Sequence, residues 1–194
     1  MIARVILGVA GASGAALGLS VARQLSEIDV EIDLVTSPAA ERTLTEECGA
    51  EALAQLQGLA TRVQDCRDIG AEIASGSVPV AGMIVAPCSM RSLSAIAHGM
   101  DDNLLTRAAG VQLKERRPLV LVTRESPLTL AHLRNMTSVT EMGGVILPPV
   151  PAFYLKPKSV EDIVTQIAAR AVDMLRLGAP VARGWKPELD QKLS

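Results

Sequence analysis

A short apolar run, Val5-Ile6-Leu7, passes directly into Gly8-Val9-Ala10-Gly11-Ala12-Ser13-Gly14. A helical pattern follows, with Leu17, Val21 and Leu25 on one face. A strand, a glycine-rich turn and a helix in immediate succession begin a βαβ unit, and few folds start that way. Such a turn sets backbone N–H groups at the positive end of a helix, a place suited to a phosphate. A turn whose glycines serve packing alone fits the same residues. The glycines fall at 8, 11, 14 and 18, so the G-x-G-x-x-G dinucleotide fingerprint is absent. The next strand-like run, Glu31-Ile32-Asp33-Leu34-Val35-Thr36, ends in Ser37-Pro38, where a dinucleotide site would place an acidic residue for the ribose. Ser13 and Ser37 offer hydroxyls at neighbouring strand ends instead, and a mononucleotide phosphate such as that of FMN fits better than NAD.

The alternation continues along the chain. Strands are expected at 3–9, 30–36, 82–86, 118–123 and 144–147, and helices at 14–27, 38–47, 89–98, 102–116, 129–142 and 159–176. This order predicts an α/β fold of three layers, a Rossmann-like or flavodoxin-like open parallel sheet with helices on both faces. Ser37-Pro38 reads as an N-cap and first helical residue, Ser159 to Asp162 as a capping box, and Gly178 as the stop of that last helix. Residues 1–178 are expected to form one domain, and 179–194 a polar tail that is mobile or partner-bound.

The length of 194 residues leaves room for a full core. A net charge of −2 gives no general attraction to nucleic acid or an anionic membrane, and no apolar run approaches a membrane span. Arg4 and the uncharged stretch to Ala22 resemble a secretory signal, but four glycines make a poor apolar core and cleavage would remove the first strand. Cys48, Cys66 and Cys88 have no metal-ligand spacing, and an odd count argues against a disulfide framework, so a reducing cytoplasm is expected. His98 and His132 stand without a pattern of further ligands, and no metal is expected. Hydrophobic residues make up 48% of the chain with a single Trp, Tyr and Phe. This surplus of small apolar side chains suits tight helix packing and subunit contacts.

In an open parallel sheet, ligands sit beyond the carboxyl ends of the strands. The residues there are Gly11-Ala12-Ser13, Ser37, Pro87 to Met90, Arg124-Glu125 and Pro148 to Tyr154. Ser89 is placed to cap the following helix, and the same helix end can hold a ligand. Cys88 lacks a base in the sequence and reads as a buried structural thiol. Arg107 and Lys114 share a helix face, in a helix that ends in the charge run Lys114-Glu115-Arg116-Arg117. Arg124-Glu125, directly after the strand Leu119 to Val122, is read as part of a site rather than an edge ion pair.

Taken together, these stretches resemble the UbiX/Pad family of flavin prenyltransferases. The resemblance rests on Gly11-Ala12-Ser13-Gly14, Ala86-Pro87-Cys88-Ser89-Met90 with Leu93, and Asp102-Asn103-Leu104-Leu105. It continues through Arg107-Ala108-Ala109, Leu113 to Leu121, Arg124-Glu125, Asn135-Met136, Pro148-Pro149 and Pro151 to Tyr154. It implies a subunit that binds FMN and joins a dimethylallyl group from dimethylallyl phosphate to flavin N5 and C6. The prenylated FMN would serve a UbiD-type decarboxylase, no metal would be needed, and the chain would assemble as a homododecamer. By position, Gly11, Ala12, Ser13, Ser37, Ser89, Met90, Arg91, Ser92 and Arg124 would contact FMN. Arg107, Lys114, Glu125, Tyr154 and Arg170 would surround the prenyl phosphate. Ser13, Glu47, Lys114, Glu125 and Trp185 would carry the chemistry, and the tail would help close the site or meet another subunit. Gly110 stands where the family commonly has an acid, and Thr123 where it often has proline. A flavin-dependent peptidyl-cysteine-type decarboxylase would require an early histidine, but the first here is His98. A non-catalytic FMN carrier would not require Lys114, Arg124, Tyr154 and Arg170 together.

Overall fold

The computed structural model describes residues 3–185. The chain alternates as the sequence predicts: β1 (Arg4–Val9), α1 (Ala15–Glu27), β2 (Glu31–Thr36), α2 (Pro38–Cys48), α3 (Ala52–Leu59), β3 (Arg62–Gln64) and β4 (Gly82–Cys88). It continues with α4 (Met90–Ala97), α5 (Leu104–Lys114), β5 (Leu119–Thr123), α6 (Leu130–Glu141), β6 (Val145–Ile146) and α7 (Val160–Asp173). The six strands pair in parallel in the order β3-β2-β1-β4-β5-β6. Without the three-residue edge strand β3, this is the five-strand flavodoxin-like order; with it, the order is that of a dinucleotide-type sheet. The expected three-layer α/β sheet is therefore observed.

Period-two alternation sorts the strand side chains between two cores. Val5, Leu7, Val9, Leu34, Ile84, Ala86 and Val120 face α1, α2, α3 and α7. Ile6, Val35, Met83, Val85, Cys88, Leu119 and Leu121 face α4, α5 and α6. Both faces are covered, so the strands read as continuous apolar runs. Among the described residues, one buried charge interrupts them. Asp33, fully buried in β2, accepts from Arg4 at 3.0 Å, Arg62 at 3.1 Å and Gln64 at 3.0 Å, which ties β1, β2 and β3 together.

The capping expectations hold at Ser37 with Pro38 in the first turn, at Ser89, and at the Ser159–Asp162 capping box. Two points of the sequence reading need correction. The sequence reading passed over α3 and β3, because α3 buries only Ala52 and Leu56 and β3 buries none of its three side chains. The last helix ends at Asp173, and Arg176 rather than Gly178 takes the left-handed turn, at φ 55°. Of the expected tail, Val181 to Arg183 are hydrogen-bonded to α7, and 186–194 lie outside the described residues.

Candidate functional site

Strand order reverses direction at β1, which pairs with β2 on one side and β4 on the other. At such a switch point the loops beyond the strands part and leave a crevice. Three backbone bonds join the carboxyl ends of the central strands into one rim. Ser37 N–H donates to Val9 C=O at 3.0 Å, Ala10 N–H to Pro87 C=O at 3.1 Å, and Arg124 N–H to Cys88 C=O at 3.2 Å. Gly11, Ser13, Ser37, Ser89 and Arg124 follow from these ends, so the rim brings together most of the residues the sequence marked for FMN. Gly11 is needed for a close approach: a Cβ there would lie 2.3 Å from the Ala39 Cβ in the first turn of α2. Ala12 is buried beneath the turn, while Gly11 and Ser13 are exposed on it.

The glycine turn itself does something other than expected. Gly14, at φ 102°, precedes α1 without a side-chain cap of its own. The Glu47 carboxylate fills that role from the end of α2, accepting from Gly14 N–H at 2.8 Å and Ala15 N–H at 2.9 Å. Partial burial pushes the Glu47 pKa up. The Ser13 hydroxyl, the two N–H groups and the Arg124 charge outweigh that and hold it below the ordinary carboxylate value. The anion site at the end of α1 is thus occupied by the protein's own carboxylate. The donors left for a phosphate are the first turns of α2 and α4 together with Arg124.

Those donors suit a phosphomonoester. Ser37 Oγ accepts from Ala40 N–H at 3.2 Å, and Pro38 contributes no N–H of its own. Ser89 Oγ accepts from Ser92 N–H at 3.2 Å and donates to Ser92 Oγ at 3.1 Å, which orders the first turn of α4. The Arg91 guanidinium is paired with Asp102, so Met90 and Arg91 offer the rim their backbone N–H groups rather than a charge. Thr123, at the end of β5, has a buried hydroxyl with no hydrogen-bond partner among the described residues. Cys88 is buried, and burial pushes its thiol up to about 12, in keeping with a structural role. The donor set fits FMN, with a carboxylate and a hydroxyl, Glu47 and Ser13, on the same crevice.

Of the residues expected around the prenyl phosphate, Arg107 and Lys114 do not join this rim within one chain. Lys114 ends α5 beside Glu115 and Gly76, near the amino ends of β4 and β5. Arg124 lies beyond the opposite end of β5, five residues or roughly 16 Å away along the strand. Arg107 pairs with Asp101 at 2.8 Å and donates to Ala74 C=O at 3.2 Å. Gly110 leaves room for that acid, since a Cβ there would lie 3.0 Å from Asp101 Oδ1. Arg117 donates to Gly76 C=O at 2.7 Å and Val78 C=O at 2.9 Å. The Ala74–Val78 segment is therefore pinned along the basic face of α5, a feature with no periodicity or motif in the sequence to announce it. Tyr154 and Arg170 form a third group, lining a cleft of about 100 Å³ with Gln166 and Ile167. Trp185 packs edge-on to Tyr154, with ring centroids 5.1 Å apart and an interplanar angle of 77°. Glu125 is exposed next to Arg124 and accepts from Ser126 N–H at 3.0 Å.

Among the described residues, no group of three or more His, Cys, Asp or Glu side chains could hold a metal ion, and no helix is long and apolar enough to cross a membrane. The switch-point crevice with phosphate donors from two helix ends defines an α/β mononucleotide-binding protein, and a family model described as Flavoprotein matches residues 2–172. The chain is 48% identical over 191 residues to a flavin prenyltransferase UbiX of Thauera aromatica, covering 98% of each. A solved structure described as AnUbiX (PadA1) in complex with FMN and dimethylallyl pyrophosphate superposes with a TM-score of 0.92 at 43% identity, over 96% of this chain and 99% of that one. A dodecameric FMN-dependent Ubix-like decarboxylase from Escherichia coli O157:H7 superposes at 0.90 and 43% identity, over 95% and 100%. The chain belongs to the flavoprotein family and, within it, to the UbiX flavin prenyltransferases.

Proposed function

We propose that this protein transfers the dimethylallyl group of dimethylallyl phosphate to N5 and C6 of reduced FMN, and that the product serves a UbiD-type decarboxylase. The observation that carries this reading is the rim, where Ser37, Ser89 and Arg124 supply phosphate donors and Ser13 and Glu47 share the crevice. Reduced FMN supplies the electron-rich ring atoms to which the allylic carbon is joined. The chain's own residues do the rest. Departure of phosphate from an allylic carbon leaves a delocalised cation, and Lys114, Arg107, Arg170 and the Tyr154 hydroxyl stabilise the departing oxyanion by charge-assisted hydrogen bonds. Trp185 covers that cation with an aromatic face and excludes water. Glu125 or the released phosphate takes the proton lost on ring closure, and Glu47 keeps Ser13 oriented on the rim.

One chain holds Lys114 and Arg107 at the amino ends of its strands and the rim at the carboxyl ends, so the complete site is formed between copies. A homododecamer suits both that division and the exposed Leu130, Leu133, Val150, Phe153 and Val160 side chains. Three free thiols suit the cytoplasm. The test is the mass of the flavin recovered after anaerobic incubation with reduced FMN and dimethylallyl phosphate, with the diphosphate run in parallel. A gain of one C5 unit is expected; FMN recovered unchanged while both substrates bind would overturn the reading.

A further inference from the structure

After α7 the chain turns back and runs along that helix, and two side chains hold it there. Gln166 makes a reciprocal pair with the backbone of Arg183: its Nε2 donates to Arg183 C=O at 3.0 Å, and its Oε1 accepts from Arg183 N–H at 3.1 Å. Asp173 accepts from Val181 N–H at 2.7 Å and Ala182 N–H at 3.3 Å. Gln166, Arg170 and Asp173 are spaced i, i+4 and i+7 and form one polar stripe on α7. The strap lies along that stripe with Arg170 in its middle, and Asp173 also meets the Arg170 guanidinium at 3.6 Å. Two residues beyond the Gln166 pair, Trp185 reaches Tyr154. Both clamps therefore end on groups that act on the prenyl phosphate in the proposed function: Gln166 on Tyr154 through Trp185, and Asp173 directly on Arg170.

The geometry points to Gln166 and Asp173 as positioning residues for the prenyl donor, which fasten the segment Val181–Trp185 so that Tyr154 and Arg170 are held ready in their shared cleft. A backbone that lacks regular structure is otherwise free to leave the surface, and Trp185 and Tyr154 are both largely solvent-exposed, so packing alone holds them weakly. A side-chain amide that satisfies a donor and an acceptor on one residue fixes both position and direction of the strand it meets. The assignment concerns donor binding, and so rests on the prenyltransferase reading; the clamp itself does not.

Trp185 is the sole tryptophan of the chain, so its emission reports the strap directly. In the full-length protein, Gln166→Met keeps the side-chain volume and removes both bonds. We expect red-shifted emission and about twofold stronger acrylamide quenching, since a released indole meets more solvent. The KM for dimethylallyl phosphate should rise about tenfold with kcat within about twofold, because two hydrogen bonds that preorganise ground-state binding are lost. Gln166→Glu keeps an acceptor for Arg183 N–H and should restore part of both signals. Asp173→Asn is the second variant should Gln166→Met fold poorly, with the same direction in quenching and KM. Unchanged emission and quenching in folded variants overturns the clamp whatever the activity. A released strap with unaltered KM overturns its role in donor binding. A wild-type protein that makes no prenylated flavin overturns the functional reading and leaves the fluorescence result standing.

Discussion

Glu47 and Asp33 are both acids held against their ordinary chemistry, one on the rim and one in the sheet. Burial pushes each pKa up, and each is nevertheless held down, Glu47 by Ser13, backbone N–H groups and Arg124, and Asp33 by Arg4, Gln64 and Arg62. A carboxyl whose folded value lies below its unfolded one, about 3.9 for Asp and 4.3 for Glu, stabilises the fold above that unfolded value. The contribution is lost as pH falls through the folded value. Thermal melts from pH 7 down to pH 3 should therefore fall more steeply for the wild type than for Glu47→Gln. At neutral pH the Gln variant should be less stable by about 1 kcal/mol, the worth of a helix cap. Removal of a buried ion's partner is more costly. Asp33→Ala removes the buried carboxylate shared by Arg4, Arg62 and Gln64, leaving Arg4 with Glu72 and Arg62 with Glu31, and should lose about 3 kcal/mol in urea unfolding.

The rim depends on elements that approach to van der Waals contact. At Gly11 the first turn of α2 lies against the β1–α1 turn, and at Gly18 α1 lies on β4, where a Cβ would come 2.7 Å from Ala86 C=O. Gly11→Ala should push α2 and its Ser37 cap away from the rim. An overpacking loss of roughly 1–3 kcal/mol is expected, together with weaker FMN binding by flavin-fluorescence titration. Local signals made these elements readable. Apolar runs located five of the six strands, and Ser37, Ser89 and Ser159 marked three helix starts because a cap bonds within its own first turn. Helix α3 and strand β3 escaped because α3 buries only Ala52 and Leu56 and β3 none of its side chains, so neither shows a period; β3 is placed by its pairing with the edge of β2.

For the assembled protein, the separation of Lys114 from Arg124 makes a strong prediction. If Lys114, on the prenyl donor, and Arg124, on FMN, complete one site from different copies, Lys114→Ala and Arg124→Ala chains should each be nearly inactive alone. Co-expressed in one oligomer, they should regain measurable product, because some sites then combine an intact Lys114 with an intact Arg124. Product absent from mixed oligomers of confirmed composition would place both residues in the same chain's site. The Lys114→Ala protein should still bind FMN, since the rim lies at the other end of the sheet.

Residue order alone was enough for the alternating strands and helices, the parallel sheet they must form, and the rule that ligand groups follow the strand ends. These are local properties: a side-chain period, a cap and a glycine turn are complete within a few residues. Which donors remain free was not readable there. Glu47 reaches Gly14 across 33 residues and Gln166 reaches Arg183 across 17, and no period or motif encodes either bond. Such relations exist only once the two cores have packed, because packing brings distant polar groups together and leaves them to one another or to a ligand.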